Sequence, residues 1–327
     1  YVLMNTVSEE GAVGAEKHYF EVPGKLTLVD KWILTEWQAV KSKVAFYIGD
    51  KEVGDETGEG HYRFDLAAQV LYDFVWNEYC DWYLELSKPV LMQSEHFWRA
   101  EVYGTRYTLL MILEELLRVM HPFMPFITEH MWHKVAPHYV EEYSADQTIM
   151  LQDYPSFDDE AYESAKKNQA MEDVDFLKRV IEAVRQLRSQ LQVAPKTPIT
   201  LLFRGGTKED RVRVEAVSVW FKALLKVTDY QWLKPEEKPP LAVTGLVGAL
   251  EILMPMAGLI DLEKEKNRLT KEIEKAKNEA AVLEQRLANP NYRAKAPREV
   301  VAQGEESLLQ YQAAMRTLEQ RLKQLEH

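Results

Sequence analysis

The 327-residue chain carries 52 acidic and 40 basic side chains, a formal net charge of -12. Its 46% apolar and 28% charged residues are a globular composition that excludes wholesale disorder, and no run of about 18 uncharged apolar residues exists to span a membrane. Indiscriminate nucleic-acid binding is excluded as well, because phosphate contacts require Lys and Arg; selective binding through a local basic patch stays open.

The length suits two or three domains. "YVLMNTVSEEGAVG" has no basic segment before an apolar core, so it is not a signal peptide, and without an initiator Met the chain is expected to be cut from something longer. Leu325-Glu326-His327 reads as the stub of an affinity tag. Cys80 stands alone in "WNEYCDWYLEL", which rules out an internal disulfide and fits a reducing cytoplasm; among aromatics it reads as a structural thiol rather than a nucleophile.

Residues 26 to about 140 read as four helices. "LTLVDKWILTEWQAVKSKVAFYI" is the first, followed by an acidic, Gly-rich loop with Asp50, Glu52, Asp55, Glu56 and Glu59. The second starts near His61 and is expected to stop at Lys88-Pro89. In the third, Leu109, Leu113, Leu116 and Met120 recur at four, three and four, until Pro122 and Pro125 break the pattern. "FITEHMWHKVAP" is the fourth, with Thr128 near its start. Residues 141–165 connect this bundle to the next part, so the bundle domain is set at residues 1–160.

Residues 161–258 read as a small α+β module. A helical stripe from Met171 to Leu191 ends at Pro195 and Pro198. "ITLLFRGG" is a strand and turn, "KEDRVRVEAVSVWFKALLKV" a helix, and "DYQWL", "LAVTGLVGAL" and "EILMPMAG" short strands. Arg185 and Arg188, in "RQLRSQ", suit either RNA or a surface ion-pair face.

Residues 259–327 hold the sharpest regularity. Leu262, Leu269, Ala276 and Leu283 lie seven apart, with Ile273, Ala280 and Leu287 between them; Val301, Gly304, Leu308, Tyr311, Met315, Leu318, Leu322 and Leu325 alternate steps of three and four. Each segment of about 26 residues makes a rod of about 39 Å, and equal lengths with a short connector imply an antiparallel coiled-coil hairpin. Pro290 ends its first helix and Pro297 fits the first turn of its second. Its tip, "ANPNYRAKAPREVV", brings Tyr292, Arg293, Lys295 and Arg298 together with the preceding Arg286, groups suited to phosphates and exposed bases, or to plain solvation of a loop.

No catalytic constellation stands out. Gly58-Glu59-Gly60 lacks the third glycine of a dinucleotide loop, since Arg63 occupies its place, and no P-loop occurs. His130 and His133 lie three apart, not four as in the zinc pattern, and read as helix-surface histidines.

"RFDLAAQVLYDFVWNEYCDWYLELSKPVL" (Arg63 to Leu91) and "HPFMPFITEHMW" (His121 to Trp132) resemble the anticodon-binding helical bundle of the class I aminoacyl-tRNA synthetases for branched aliphatic amino acids. The order bundle, small module, coiled-coil arm, with "LANPNYRAKAPREVV" at its turn, is similar to the bacterial valyl branch of that family. The likeness covers nearly the whole chain and is weakest in residues 8–24 and 205–240. It implies a mainly α protein: an anticodon-binding bundle, an α+β module and a terminal antiparallel arm. The family's "HIGH" and "KMSKS" signatures are absent, so the resemblance implies the tRNA-binding part of an ATP-dependent ligase, without activation or editing. ATP and Mg would then belong to the catalytic part, which joins tRNA for valine as a partner; no membrane contact, a monomer and the cytoplasm are expected.

The resemblance places the anticodon site on the first helix and the start of the second. Phe64 would stack a base, Arg63 would bind base edges or phosphate beside Tyr62, and Lys41 and Lys43 would hold the backbone; Phe64 fits the core equally well. The arm tip (Arg286, Tyr292, Arg293, Lys295, Arg298) would lean on the elbow of the tRNA. Val282 and Ser307 stand where relatives often carry basic residues. The alternative is a scaffold whose coiled coil mediates protein–protein association; seams of equal length that satisfy each other within one chain speak against it.

Overall fold

The computed structural model describes residues 1–6, 25–49, 62–92, 96–140, 143–158, 162–163, 169–234, 236–259, 262–288 and 298–324. The acidic loop at 50–61 and the arm tip at 289–297 lie outside these residues. The chain forms two compact units, Tyr1–Glu182 with Gly206–Val227, and Ala183–Gly205 with Thr228–His327. This division does not follow the three-part reading at 160 and 258.

In the first unit, α1 (Val2–Thr6) packs on the helix at Arg99–Met120, and α2 (Leu28–Ile48) opens with a capping box. The Thr27 hydroxyl accepts from the Asp30 amide, and the Asp30 carboxylate accepts from the Thr27 amide at 2.9 Å. α2 stops at Gly49, whose φ of 93° is left-handed. A single long helix follows: α3 (Phe64–Asp73), a π-helical stretch (Phe74–Tyr83) and α4 (Leu84–Met92). At the end of the wide stretch the Leu84 amide reaches back five residues to the Tyr79 carbonyl.

The expected stop at Lys88-Pro89 is corrected: α4 runs through Pro89 to Met92. Leu86, Pro89 and Val90 are buried together there, and this burial outweighs the lost amide. α5 (Arg99–Met120) and α6 (Pro125–Tyr139) complete the up-and-down bundle, with Pro125 in the first turn of α6, where its missing amide costs nothing. Trp37, Tyr83, Leu109, Ile112 and Trp132 fill the core.

Three carboxylates tie the bundle. Asp30 is fully buried and accepts from the Tyr83 hydroxyl at 2.7 Å and the Thr105 hydroxyl at 2.8 Å, so one side chain links α2, the π-helical stretch and α5. Glu114 accepts from the Trp132 indole at 2.8 Å and from two nitrogens of Arg118. Glu115 accepts from the Trp37 indole at 2.6 Å and the Lys41 ammonium at 3.0 Å. The Trp37 and Trp132 indoles and the Lys41 ammonium therefore each have an acceptor inside the bundle.

α7 (Ala170–Gln190) begins in the first unit, where Lys178 binds Glu78 at 2.6 Å and lies 4.3 Å from the Trp32 ring centroid. α8 (Lys208–Leu225) belongs to the same unit. Its Trp220 indole donates to the Leu86 carbonyl at 3.0 Å, and Arg213 binds Asp173 and Glu172.

The second unit holds a four-stranded mixed sheet of order β2-β1-β4-β3: β1 (Ile199–Gly205), β2 (Val227–Trp232), β3 (Ala242–Val247) and β4 (Leu250–Pro255). β4 runs antiparallel to both neighbours, with Leu253 opposite Leu202 and Thr244. "LAVTGLVGAL" is not one strand, because Gly248-Ala249 makes a two-residue turn, with φ +60° at Gly248, before Leu250 opens β4. Arg188 is buried; its two terminal nitrogens donate to the Ala194 carbonyl at 2.8 Å and the Thr197 carbonyl at 2.7 Å. From this buried position it clamps the loop before β1.

The arm is an intrachain helix pair, α9 (Leu262–Ala288) against α10 (Arg298–Gln324). Ala276, Ala280 and Leu287 are buried in its seam, and Gly304 sits under Leu287. At the root, Leu318 and Leu322 pack on Met256 together with Leu191, Leu241 and Val243.

Candidate nucleic-acid interface

One end of the bundle brings together the C-terminus of α2, the start of α3 and the turn between α5 and α6. The Arg63 amide donates to the Tyr47 carbonyl at 2.8 Å, which fixes where the chain re-enters the bundle after the acidic loop. Tyr62 precedes it with φ 59°, left-handed and rare for an aromatic residue, and its side chain is 76% exposed. Phe64, first residue of α3, is 51% exposed and meets Phe123 edge-on, with centroids 6.3 Å apart. One edge of the ring is thus held by the bundle while the rest faces water. Phe64 is neither wholly core nor loose on the surface.

Arg63 is exposed and grips Asp65 with both prongs of its fork, Nε to Oδ1 at 2.9 Å and Nη2 to Oδ2 at 2.7 Å. Hydrogen bonding to Arg63 holds the Asp65 carboxyl down at about 2, and the same bond raises the guanidinium. Such an exposed pair contributes little to stability, so the fork can be exchanged for a phosphate or a base edge at small cost.

The two lysines part company. Lys43 is exposed on α2, whereas Lys41 is only 6% exposed and bound to Glu115. The expectation that Lys41 faces RNA is corrected: its stem lies in the bundle and its charge is already matched. At the arm, Arg286 is exposed near the end of α9 and Arg298 opens α10, while Tyr292, Arg293 and Lys295 fall outside the described residues.

The motif "HPFMPFITEHMW" exposes side chains that its sequence pattern alone does not announce. Phe126 is 91% exposed, and Met124 and Ile127 are exposed beside it. Pro125 in the first turn of α6 was the available signal, since a residue beside it at a helix start has no preceding turn to lie on. Further along α6, His133 bridges Glu129 at 3.1 Å and the Tyr143 hydroxyl at 2.9 Å, a polar staple for the following loop. Among the described residues no group of three or more His, Cys, Asp or Glu is placed to hold a metal, and no helix is long and apolar enough to cross a membrane.

Half-exposed aromatics beside an exchangeable arginine fork, on a rigid helical frame, define a module of the kind that receives unpaired bases. Residues 30–203 match the family described as the anticodon-binding domain of tRNA ligase, and the chain belongs to that family. Residues 261–326 match the valyl tRNA synthetase tRNA binding arm. The valine–tRNA ligase of Stenotrophomonas maltophilia (strain R551-3) is 40% identical over 327 residues, covering 99% of this chain and 31% of that protein. The valine–tRNA ligase of Legionella pneumophila (strain Paris) is 38% identical over 326 residues, covering 100% of this chain and 33% of that protein. The chain thus spans about a third of the length of the curated relatives it matches.

Proposed function

We propose that the chain is the tRNA-binding portion of a valine–tRNA ligase, reading the anticodon with the bundle end and bracing the elbow of the tRNA with the arm tip. The observation that carries this is Phe64, held edge-on by Phe123 and open on its other side, next to the Arg63 fork. In this reading Phe64 stacks an anticodon base, Arg63 leaves Asp65 for a base edge or phosphate, Tyr62 flanks them and Lys43 meets the backbone. Lys41 serves the bundle instead. Arg286, Tyr292, Arg293, Lys295 and Arg298 meet the elbow by shape and charge. Amino-acid activation, with ATP and Mg, belongs to a catalytic portion that the same polypeptide carries in its relatives' manner, and the chain works as a cytoplasmic monomer.

The test is binding of valine tRNA at low and moderate salt to the chain, to Phe64→Ala and to Arg293→Ala/Lys295→Ala/Arg298→Ala. Two-point recognition requires both variants to bind more weakly, the tip variant with a salt dependence shallower by about three phosphate contacts. Full affinity in both variants sinks the proposal.

A further inference from the structure

Phe126 has no role in holding the bundle together. Among the described residues it is the most exposed large apolar side chain, at 91%. The backbone that carries it is nevertheless firmly set. The Phe123 and Met124 amides both donate to the Met120 carbonyl at 3.0 Å, and the Thr128 hydroxyl donates to the Met124 carbonyl at 2.8 Å. With its only proton so used, the Thr128 hydroxyl accepts from His121 Nδ1 at 2.7 Å, and Pro122 and Pro125 fix two further φ angles. A rigid turn thus holds a fully wetted phenyl ring, an arrangement that stabilises nothing in the free protein.

What lies along α6 from Phe126 narrows the occupant. His130 and Lys134 follow at steps of four, so they share its face, and both are exposed. Glu129, next to His130 in the chain, is turned to Thr148 and His133. An aromatic tip followed by an exposed imidazole and the Lys134 ammonium suits single-stranded RNA, base on ring and phosphate on the ammonium, better than an apolar protein surface. The patch is also continuous with the anticodon end, because Phe123, three residues earlier, is the side chain that touches Phe64.

We propose that Phe126 is a second base-stacking platform, receiving another unpaired base of the loop that Phe64 engages, with the backbone beyond it running past His130 and Lys134. This rests on the reading of the bundle end as an anticodon site. The experiment measures the affinity of valine tRNA for the whole chain and for Phe126→Ala, Phe126→Trp, Phe64→Ala and His130→Ala/Lys134→Ala. Fluorescent 2-aminopurine is placed at each anticodon-loop position in turn.

Phe126→Ala is expected to weaken binding about tenfold without moving the unfolding temperature, and Phe126→Trp to retain it. The loop position whose fluorescence Phe126→Ala restores should differ from the one that Phe64→Ala restores. Loss in Phe64→Ala with full affinity in Phe126→Ala overturns this inference and leaves the anticodon reading standing; the patch then faces protein. Full affinity in both variants, or no binding by the whole chain at low salt, overturns both.

Discussion

Asp30 shows how much one residue can carry. Its carboxyl sits in the core and collects the Thr27 amide and hydroxyl and the Tyr83 and Thr105 hydroxyls. Desolvation still raises its pKa, the hydrogen bonds opposing this only in part, and Glu36 is raised too, by burial and then by Glu78. A raised carboxyl keeps its proton in the folded chain at pH values where the unfolded chain has released it. Stability from these groups is therefore greatest in acid and declines as pH climbs from the ordinary carboxylate value through the raised one.

Asp30→Ala should cost about 3–5 kcal/mol, because several buried donors lose their acceptor at once. Asp30→Asn keeps one acceptor and should cost less. Its deficit relative to Asp should shrink from pH 4 toward pH 7, since the amide escapes the charge-burial penalty; urea melts across that range measure it, and a growing deficit rejects the account. Legibility at this scale was uneven. "RF" at Arg63-Phe64 announced itself through the motif, but Lys41 looked like any surface lysine because its partner Glu115 lies 74 residues away.

Among elements, the arm was the most legible, because a heptad seam is a local pattern and its partner segment is adjacent in sequence. The π-helical stretch was the least, since the aromatics at Trp76, Tyr79 and Tyr83 fit a helical stripe without revealing that the helix widens there. Pro89 is opaque for a related reason: helix propensity disfavours proline there, but the packing of α4 decides. The placement of α8 rests on a hydrogen bond spanning 134 residues, Trp220 to Leu86, which no local pattern encodes.

The arm's seam also yields a graded prediction at Gly304. A methyl group there would stand 3.4 Å from Leu287 Cδ2, ordinary contact with the far end of a flexible side chain. Gly304→Ala should raise arm stability by about 1 kcal/mol through helix propensity, whereas Gly304→Leu should overpack Leu287 and cost about 1–3 kcal/mol. Amide exchange along α9 and α10 reads both. Equal protection in the two variants would falsify the close-packed seam.

For the molecule as a whole, the root of the arm matters more than its length. A tip about 40 Å from the root, at about 1.5 Å per residue along α9, multiplies any wobble at the base. Leu318 and Leu322 anchor α10 on Met256, the residue that follows β4, so the end of that strand sets the arm's direction. Seven of the eight tryptophans lie in the first unit, and Trp232 alone reports the second, packed 5.2 Å from Phe203. Leu318→Ala/Leu322→Ala should lower the denaturant midpoint of the Trp232 signal, taken as the difference from a Trp232→Phe chain, and leave the remaining tryptophans' transition in place. On the proposed docking of the arm tip, the same variant should also show a shallower salt dependence of tRNA binding while keeping the affinity of an isolated anticodon stem-loop. If both tryptophan signals shift together, the two units unfold as one and the arm is not anchored by its own sheet alone. If only the Trp232 signal moves and the salt dependence falls, the module between bundle and arm acts as the footing that aims the tip.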